Sequence, residues 1–146
     1  MLPFGGLFAA SVGLTLSESD KNVDWDSASW VPQAPSSTDR DAISIGADSG
    51  VSNAGVTLAT DAIGETLDVR NGVLLGISGS LNLTGNVNLY DASRLTVDGG
   101  SLVIDDGDAS TGKTLTVNNG SLKVQNGATL SIDGRRDNGN SSGSVL

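Results

Sequence analysis

From residue 66 onward, apolar residues recur in pairs at i and i+2: Leu67/Val69, Leu75/Ile77, Leu81/Leu83, Val87/Leu89, Leu95/Val97, Leu102/Ile104, Leu115/Val117, Leu122/Val124 and Leu130/Ile132. Alternation at period two places both members of a pair on one face of a strand. Between the pairs stand NG, SG, TG, DGG, NNG and QNG, whose Gly and Asn residues tolerate positive φ. No interval holds a helical period for long. The pattern predicts an all-β chain of short strands.

Two β architectures compete for such a chain. Sandwich strands run longer, recur every ~8–12 residues and bury large aromatics. Here the pairs follow one another more closely than that, and aromatics are 3% of the chain. Every third pair gives a steadier spacing, with a step of 21 from Leu81 to Leu102 and of 28 from Val87 to Leu115, where DASTG (108–112) is inserted. That rhythm, with small side chains for a narrow interior, predicts a single-stranded parallel β-helix (β-solenoid) of about four coils. The crossover rule makes it right-handed. In this register the outward columns read Asp68, Asn88, Thr116, then Gly76, Thr96, Lys123, then Asn82, Val103, Ser131. None is a threonine ladder, which argues against ice binding.

The N-terminal stretch, through Asp41, differs. In FAASVGLTL, Phe8, Ala10, Val12, Leu14 and Leu16 alternate with small or polar residues, an amphipathic strand followed by SESDKN as a polar tether. Such a strand pairs with its own domain or with a neighbour's open edge. Those five residues are therefore the candidate assembly interface. The opening MLPFGGLFAASVGLTLSESD lacks a basic start and reads as a structural strand, not a cleaved leader. Trp25 and Trp30 precede Pro32, Pro35 and an acidic turn into Ile43/Ile45. A solenoid end must be covered, so the tryptophans read as its cap, with an exposed carbohydrate platform as the alternative. The expected organisation is an N-terminal strand extension and cap (1–41), a solenoid (42–134) and a polar C-terminal tail (135–146).

The run DWDSASWVPQAPSSTDRDAISI, leading from two tryptophans through prolines and an aspartate into Gly/Asn-punctuated strands, resembles the start of secreted bacterial β-solenoid proteins, the autotransporter-like repeat modules. The resemblance covers most of the chain. It implies an extracellular structural solenoid and carries over no catalytic residues.

Composition narrows the chemistry. With no Cys and no His, thiolate nucleophiles, Ser-His-Asp triads and the common zinc sites drop out. A net charge of −9 opposes binding to nucleic acid or an anionic membrane, and no apolar run approaches the ~20 residues of a membrane span. GDASTGKT (107–114) matches a phosphate-binding loop at Gly107, Gly112, Lys113 and Thr114. That motif works only at a helix N-terminus. The following residues alternate as a strand, so the match is read as chance and no nucleotide is expected. Asp105, Asp106 and Asp108 are candidate ligands for a hard cation such as calcium, although their spacing fits neither an EF-hand nor a calcium-binding solenoid repeat. Solenoid glycosidases and lyases have more coils and a long lined cleft, so no catalytic residue or cofactor is assigned and the chain is read as a non-enzyme. The expected function is structural: a self-assembling subunit of an extracellular filament or virion surface, joined to its own copies or to partner subunits. A glycan-binding adhesin or tail-fibre module is the alternative.

Overall fold

An apolar–polar–apolar triplet can bury two side chains on one side only if backbone partners lie to its left and right. Short triplets of this kind form most of the strands. A computed structural model describes residues 9–48, 51–108, 112–133, 136–137 and 140–141. Its first six strands are β1 (Ser11–Leu14), β2 (Asn22–Asp24), β3 (Trp30–Val31), β4 (Ala42–Ile45), β5 (Gly55–Leu58) and β6 (Asp61–Gly64). There follow β7 (Leu67–Val69), β8 (Leu74–Ile77), β9 (Ser80–Leu83), β10 (Val87–Leu89), β11 (Arg94–Asp98) and β12 (Ser101–Ile104). The last are β13 (Leu115–Val117), β14 (Ser121–Gln125), β15 (Thr129–Ile132), β16 (Arg136–Asp137) and β17 (Asn140–Ser141). The fold is all-β. A single 3-10 turn, Trp25–Ser27, is the only helical element among the described residues.

Successive strands from β4 to β15 visit three sheets in turn. The first sheet runs β13-β10-β7-β4-β1-β3, the second β14-β11-β8-β5-β2 and the third β15-β12-β9-β6. All pairs within them are parallel except β1 with β3. Each strand of that run therefore pairs with the third strand after it. Leu67 lies opposite Val87, Leu75 opposite Leu95 and Leu81 opposite Leu102, so the step along the chain is nearly the same in every sheet. After β12 the step lengthens in all three, from Val87 to Leu115, from Leu95 to Leu122 and from Leu102 to Leu130. The loop after Ile104 accounts for all three, because every one of those steps crosses it. The outward columns expected from the sequence are the observed registers.

The inward residues of the three sheets make one aliphatic core, with Leu67, Leu75, Leu81, Leu89, Leu95 and Leu102 wholly buried. Burial of each such side chain contributes about 1.5–3 kcal/mol. The corners pack against one another as the strands do. Backbone N–H groups of Arg70, Tyr90 and Asn118 donate to the carbonyls of Ile45, Val69 and Leu89, carrying the ladder past the strand ends. Asn71 and Asn119 turn the chain there at φ 59° and 55°. Gly100 sits so close to the preceding corner that an added Cβ would run into the Gly79 carbonyl oxygen. On the outside, the Arg70 guanidinium lies 4.2 Å from the Tyr90 ring centroid, linking adjacent corners by a cation–π contact.

Several expectations are corrected. Ahead of the pairs that recur from residue 66, β4, β5 and β6 already occupy all three sheets. The sheets also cross the expected boundary at residue 41, since β1 pairs with β4 and β2 with β5. SESDKN is no tether but a tight turn, with the Asp20 N–H donating to the Ser17 carbonyl at 3.0 Å and the Lys21 carbonyl accepting from Gly55. Within the tail expected to be plain polar chain, β16 and β17 pair antiparallel.

The register makes a direct test. Leu95→Asp puts an unpaired carboxylate into the core, where its cost of several kcal/mol approaches a whole domain's stability. Thr96→Asp faces outward and should change stability by no more than about 0.5 kcal/mol. Urea unfolding of both variants measures the contrast, and equal effects would refute the inward assignment of Leu95.

Candidate functional site

The two ends of the sheets are built differently. At the N-terminal end β1 lies between β4 and β3, with Val12 opposite Ile43 and Leu14 opposite both Ile45 and Trp30. Of the five expected interface residues, Val12, Leu14 and Leu16 are buried in the core and Ala10 packs against it; Phe8 lies outside the described residues. Both backbone edges of β1 are thus occupied within this chain.

Trp25 and Trp30 join the same core, 4% and 6% exposed. Their ring centroids are 4.9 Å apart at a tilt of 59°, and the Trp30 indole N–H donates to the Trp25 carbonyl at 2.9 Å. Burial with the polar handle satisfied is what a buried Trp requires.

One residue that sequence reasoning passed over as part of an acidic turn holds this end together. Asp41 is 1% exposed. Its carboxylate accepts from the Ala10 N–H at 2.8 Å and from the Ser36 N–H at 2.8 Å, and its carbonyl accepts from Glu65 at 2.8 Å. It ties the start of β1, the proline-containing loop and the chain after β6 to one point. Beside it, the Arg40 guanidinium donates to the carbonyls of Gly64 and Asn82, at 3.3 and 3.0 Å. A lone aspartate in an acidic run carries no sequence signal of burial.

At the C-terminal end, β13, β14 and β15 have a strand partner on one side only among the described residues. Leu115 is buried, but its pair mate Val117 is 38% exposed and Val124 41%. Leu122, Leu130 and Ile132 are only partly buried. The expectation that all these pairs face a closed interior fails here because nothing described covers the last strands as β10 to β12 are covered. Between β11 and β14, Asp98 accepts from the side-chain amides of Asn126 at 2.6 Å and Gln125 at 3.0 Å. Those bonds, Asn126 first and Gln125 next, hold its carboxyl below the usual range against an opposing desolvation, with a lesser contribution from the charge of Lys123.

The acidic loop differs from its expected form. Carboxylate oxygens of Asp105, Asp106 and Asp133 lie within 4.8 Å of one another. Asp108 is not in the group, and Asp133 takes the place expected for it. Register explains the exchange: Ile104 pairs with Ile132, so the residues that follow them are neighbours. Asp105 accepts from the Gly107 N–H and Asp106 from the Asp108 N–H, at 2.6 and 2.8 Å. The Lys113 ammonium lies 2.6 Å from Asp106. The same lysine faces carboxylates, where a phosphate would be repelled, and Thr114 leads into β13 and not a helix. Gly107 and Gly112 are exposed loop positions.

A shallow groove of about 360 Å³ crosses the outer face of the first sheet, lined by Ser11, Gly13, Thr15, Ser44, Thr66 and Asp68 among others, with no aromatic ring. No helix of the described residues is long and apolar enough to cross a membrane. No family model, curated protein or solved structure matches this chain.

Two outcomes test this geometry. Asp41→Ala strands two backbone N–H groups and should destabilise the protein by about 3 kcal/mol in urea unfolding, a charged hydrogen bond contributing ~1.5–3 kcal/mol; a loss below ~0.5 kcal/mol would show the carboxylate is dispensable. For Asp98 the folded-state pKa lies below the unfolded value of 3.8, so its stabilisation is full above that value and disappears as pH falls through the folded one. The Asn126 side-chain amide resonances should accordingly titrate with a midpoint below 3.8 and cease to titrate in Asp98→Asn.

Proposed function

We propose that the chain is a structural module, a right-handed parallel β-solenoid of about four coils that self-assembles at an extracellular or virion surface. The strand order supports the solenoid: each strand from β4 to β12 pairs with the third one on, and between β7 and β12 the step along the chain is nearly the same in all three sheets. Handedness follows from the strong preference for right-handed crossovers. The observation that carries the function is the contrast between the ends. At the N-terminal end two tryptophans are buried in the core, while among the described residues β13 and β14 have a strand partner on one side only and carry the exposed Val117 and Val124. Open parallel edges with apolar side chains pair with another chain unless something blocks them.

Assembly therefore runs through the C-terminal edge and not through β1, whose edges are taken. Partners are copies of the chain or subunits with a matching edge. No cofactor enters this role. The glycan-binding alternative lacks its platform, because Trp25 and Trp30 are in the core and the groove on the first sheet has no ring to stack on a sugar.

Sedimentation velocity over a concentration series tests the reading. The wild type should associate, and Val124→Asp should associate at least about tenfold more weakly, a change of ~1.4 kcal/mol, with unchanged strand content by circular dichroism. A wild type that stays monomeric throughout, or a variant that assembles equally well, would sink it.

A further inference from the structure

Three Asn-Gly pairs lie among the described residues, Asn71–Gly72, Asn119–Gly120 and Asn126–Gly127, and each asparagine turns a corner at positive φ. In such a pair the asparagine side chain is open to attack by the next backbone nitrogen, because glycine puts no Cβ in the way. Whether the attack happens in a folded chain depends on how firmly the peptide between the two residues is held. The ladder holds these three very differently.

The Asn71–Gly72 peptide is pinned on both sides. Its N–H donates to the Asp91 carbonyl at 2.8 Å, and its carbonyl accepts from the Asn53 N–H at 3.3 Å. The Asn71 amide itself donates to the Val51 carbonyl at 2.9 Å. The Asn119–Gly120 peptide is held on one side, its carbonyl accepting from the Ala92 N–H, and Gly120 is wedged against the Ser93 carbonyl. Asn126 and Gly127 are both exposed. Neither the Asn126 carbonyl nor the Gly127 N–H has a hydrogen-bond partner among the described residues, and the space beside Gly127 is open. Position explains the difference. The acceptor for Gly72 comes from the next corner along the ladder, whereas beyond β14 and β15 no further strand is described to supply one.

From this contrast we infer that Asn126 is a self-modification site, deamidating through attack by the Gly127 nitrogen, and that the product loosens β14 from β11. The Gly127 nitrogen bonds to Asn126 Cγ, the Cγ–Nδ2 bond breaks, and ammonia leaves with the proton of the Gly127 N–H, closing a five-membered imide. A solvent water then opens the ring, giving aspartate when the Cγ–N bond breaks and isoaspartate when the backbone C–N bond does. To reach Cγ the peptide must swing out of its turn. That motion breaks the Ala128 N–H bond to the Gln125 carbonyl and the Asn126 bond to Asp98, at an end of the ladder, where local opening takes least free energy. Either product puts a carboxylate where the Asn126 amide now donates to Asp98 at 2.6 Å. A bond between the strands becomes a repulsion between like charges.

Incubating the full-length protein at mildly alkaline pH, followed by tryptic peptide mapping, tests this. The three pairs fall in separate peptides, 71–94, 114–123 and 124–135, and Asn138 falls in a fourth. Peptide 124–135 should gain about one dalton, NH2 being exchanged for OH. It should do so at least about tenfold faster than 71–94, a barrier lower by ~1.4 kcal/mol, with 114–123 in between. In urea, where no corner is held, the three should react at similar rates. Asn126→Gln should abolish the gain in 124–135, because the larger ring closes far more slowly. Equal rates in the folded protein, the same gap in urea, or a gain that persists in Asn126→Gln would each overturn the site. For the consequence, Asn126→Asp makes one product directly and should unfold at lower urea than wild type. Measured against Asp98→Asn, the same substitution should cost much less; an equal loss in both backgrounds, or no loss in either, would overturn the loosening of β14.

Discussion

A strand in the middle of this protein finds its backbone partners in the third strand before it and the third strand after it. That one constraint organises most of the molecule. Buried N–H and C=O groups must be paired, and parallel strands need a crossover between them. Here two further strands and three corners serve as the crossover, and the corners between β7 and β12 are short. Asn71 and Asn119 turn their corners at positive φ, and Gly100 has no space for a Cβ beside the Gly79 carbonyl because their corners pack as closely as the strands. The narrow interior then admits Leu, Ile and Val but leaves large aromatics only at the N-terminal end.

Where the ladder stops, its last groups need other partners, and the N-terminal end shows how the chain supplies them. At the N-terminal end the Asp41 carboxylate gathers backbone donors from two segments, and Trp25 and Trp30 close the interior. A buried carboxylate is tolerated there because its hydrogen bonds replace water. At the other end half-buried Leu122, Leu130 and Ile132 mark a core that thins out strand by strand. The contrast gives the molecule a direction, on which its proposed assembly depends.

Much of this was legible in the sequence, because a parallel ladder counts residues. Pairs at i and i+2 name the inward positions, and a nearly constant step names the neighbours, so Asp68, Asn88 and Thr116 align from spacing alone. Other parts were hidden for physical reasons. Ala62 and Gly64 of β6 give almost no apolar signal, yet the space a Gly64 side chain would need is filled by Ile43 and Leu83 from other strands. Asp133 joins Asp105 across one full step of the ladder, which local spacing among the loop aspartates does not reveal. The polarity of SESDKN suits an exposed tether and an exposed turn equally; the difference is made by Lys21 pairing with Gly55. The role of Asp41 depends on donors from Ala10 and Ser36, one of them far away in the chain.

The loop between β12 and β13 lengthens the step in all three sheets, yet β13, β14 and β15 return to register beyond it. Length in the connections and order in the ladder are therefore separate heritable properties. A cut between Thr66 and Leu67 and another between Asn86 and Val87 fall at equivalent points, so removing or copying the segment between them shifts no inward side chain outward. The length of the ladder can therefore change by one such segment without altering which side chains face inward.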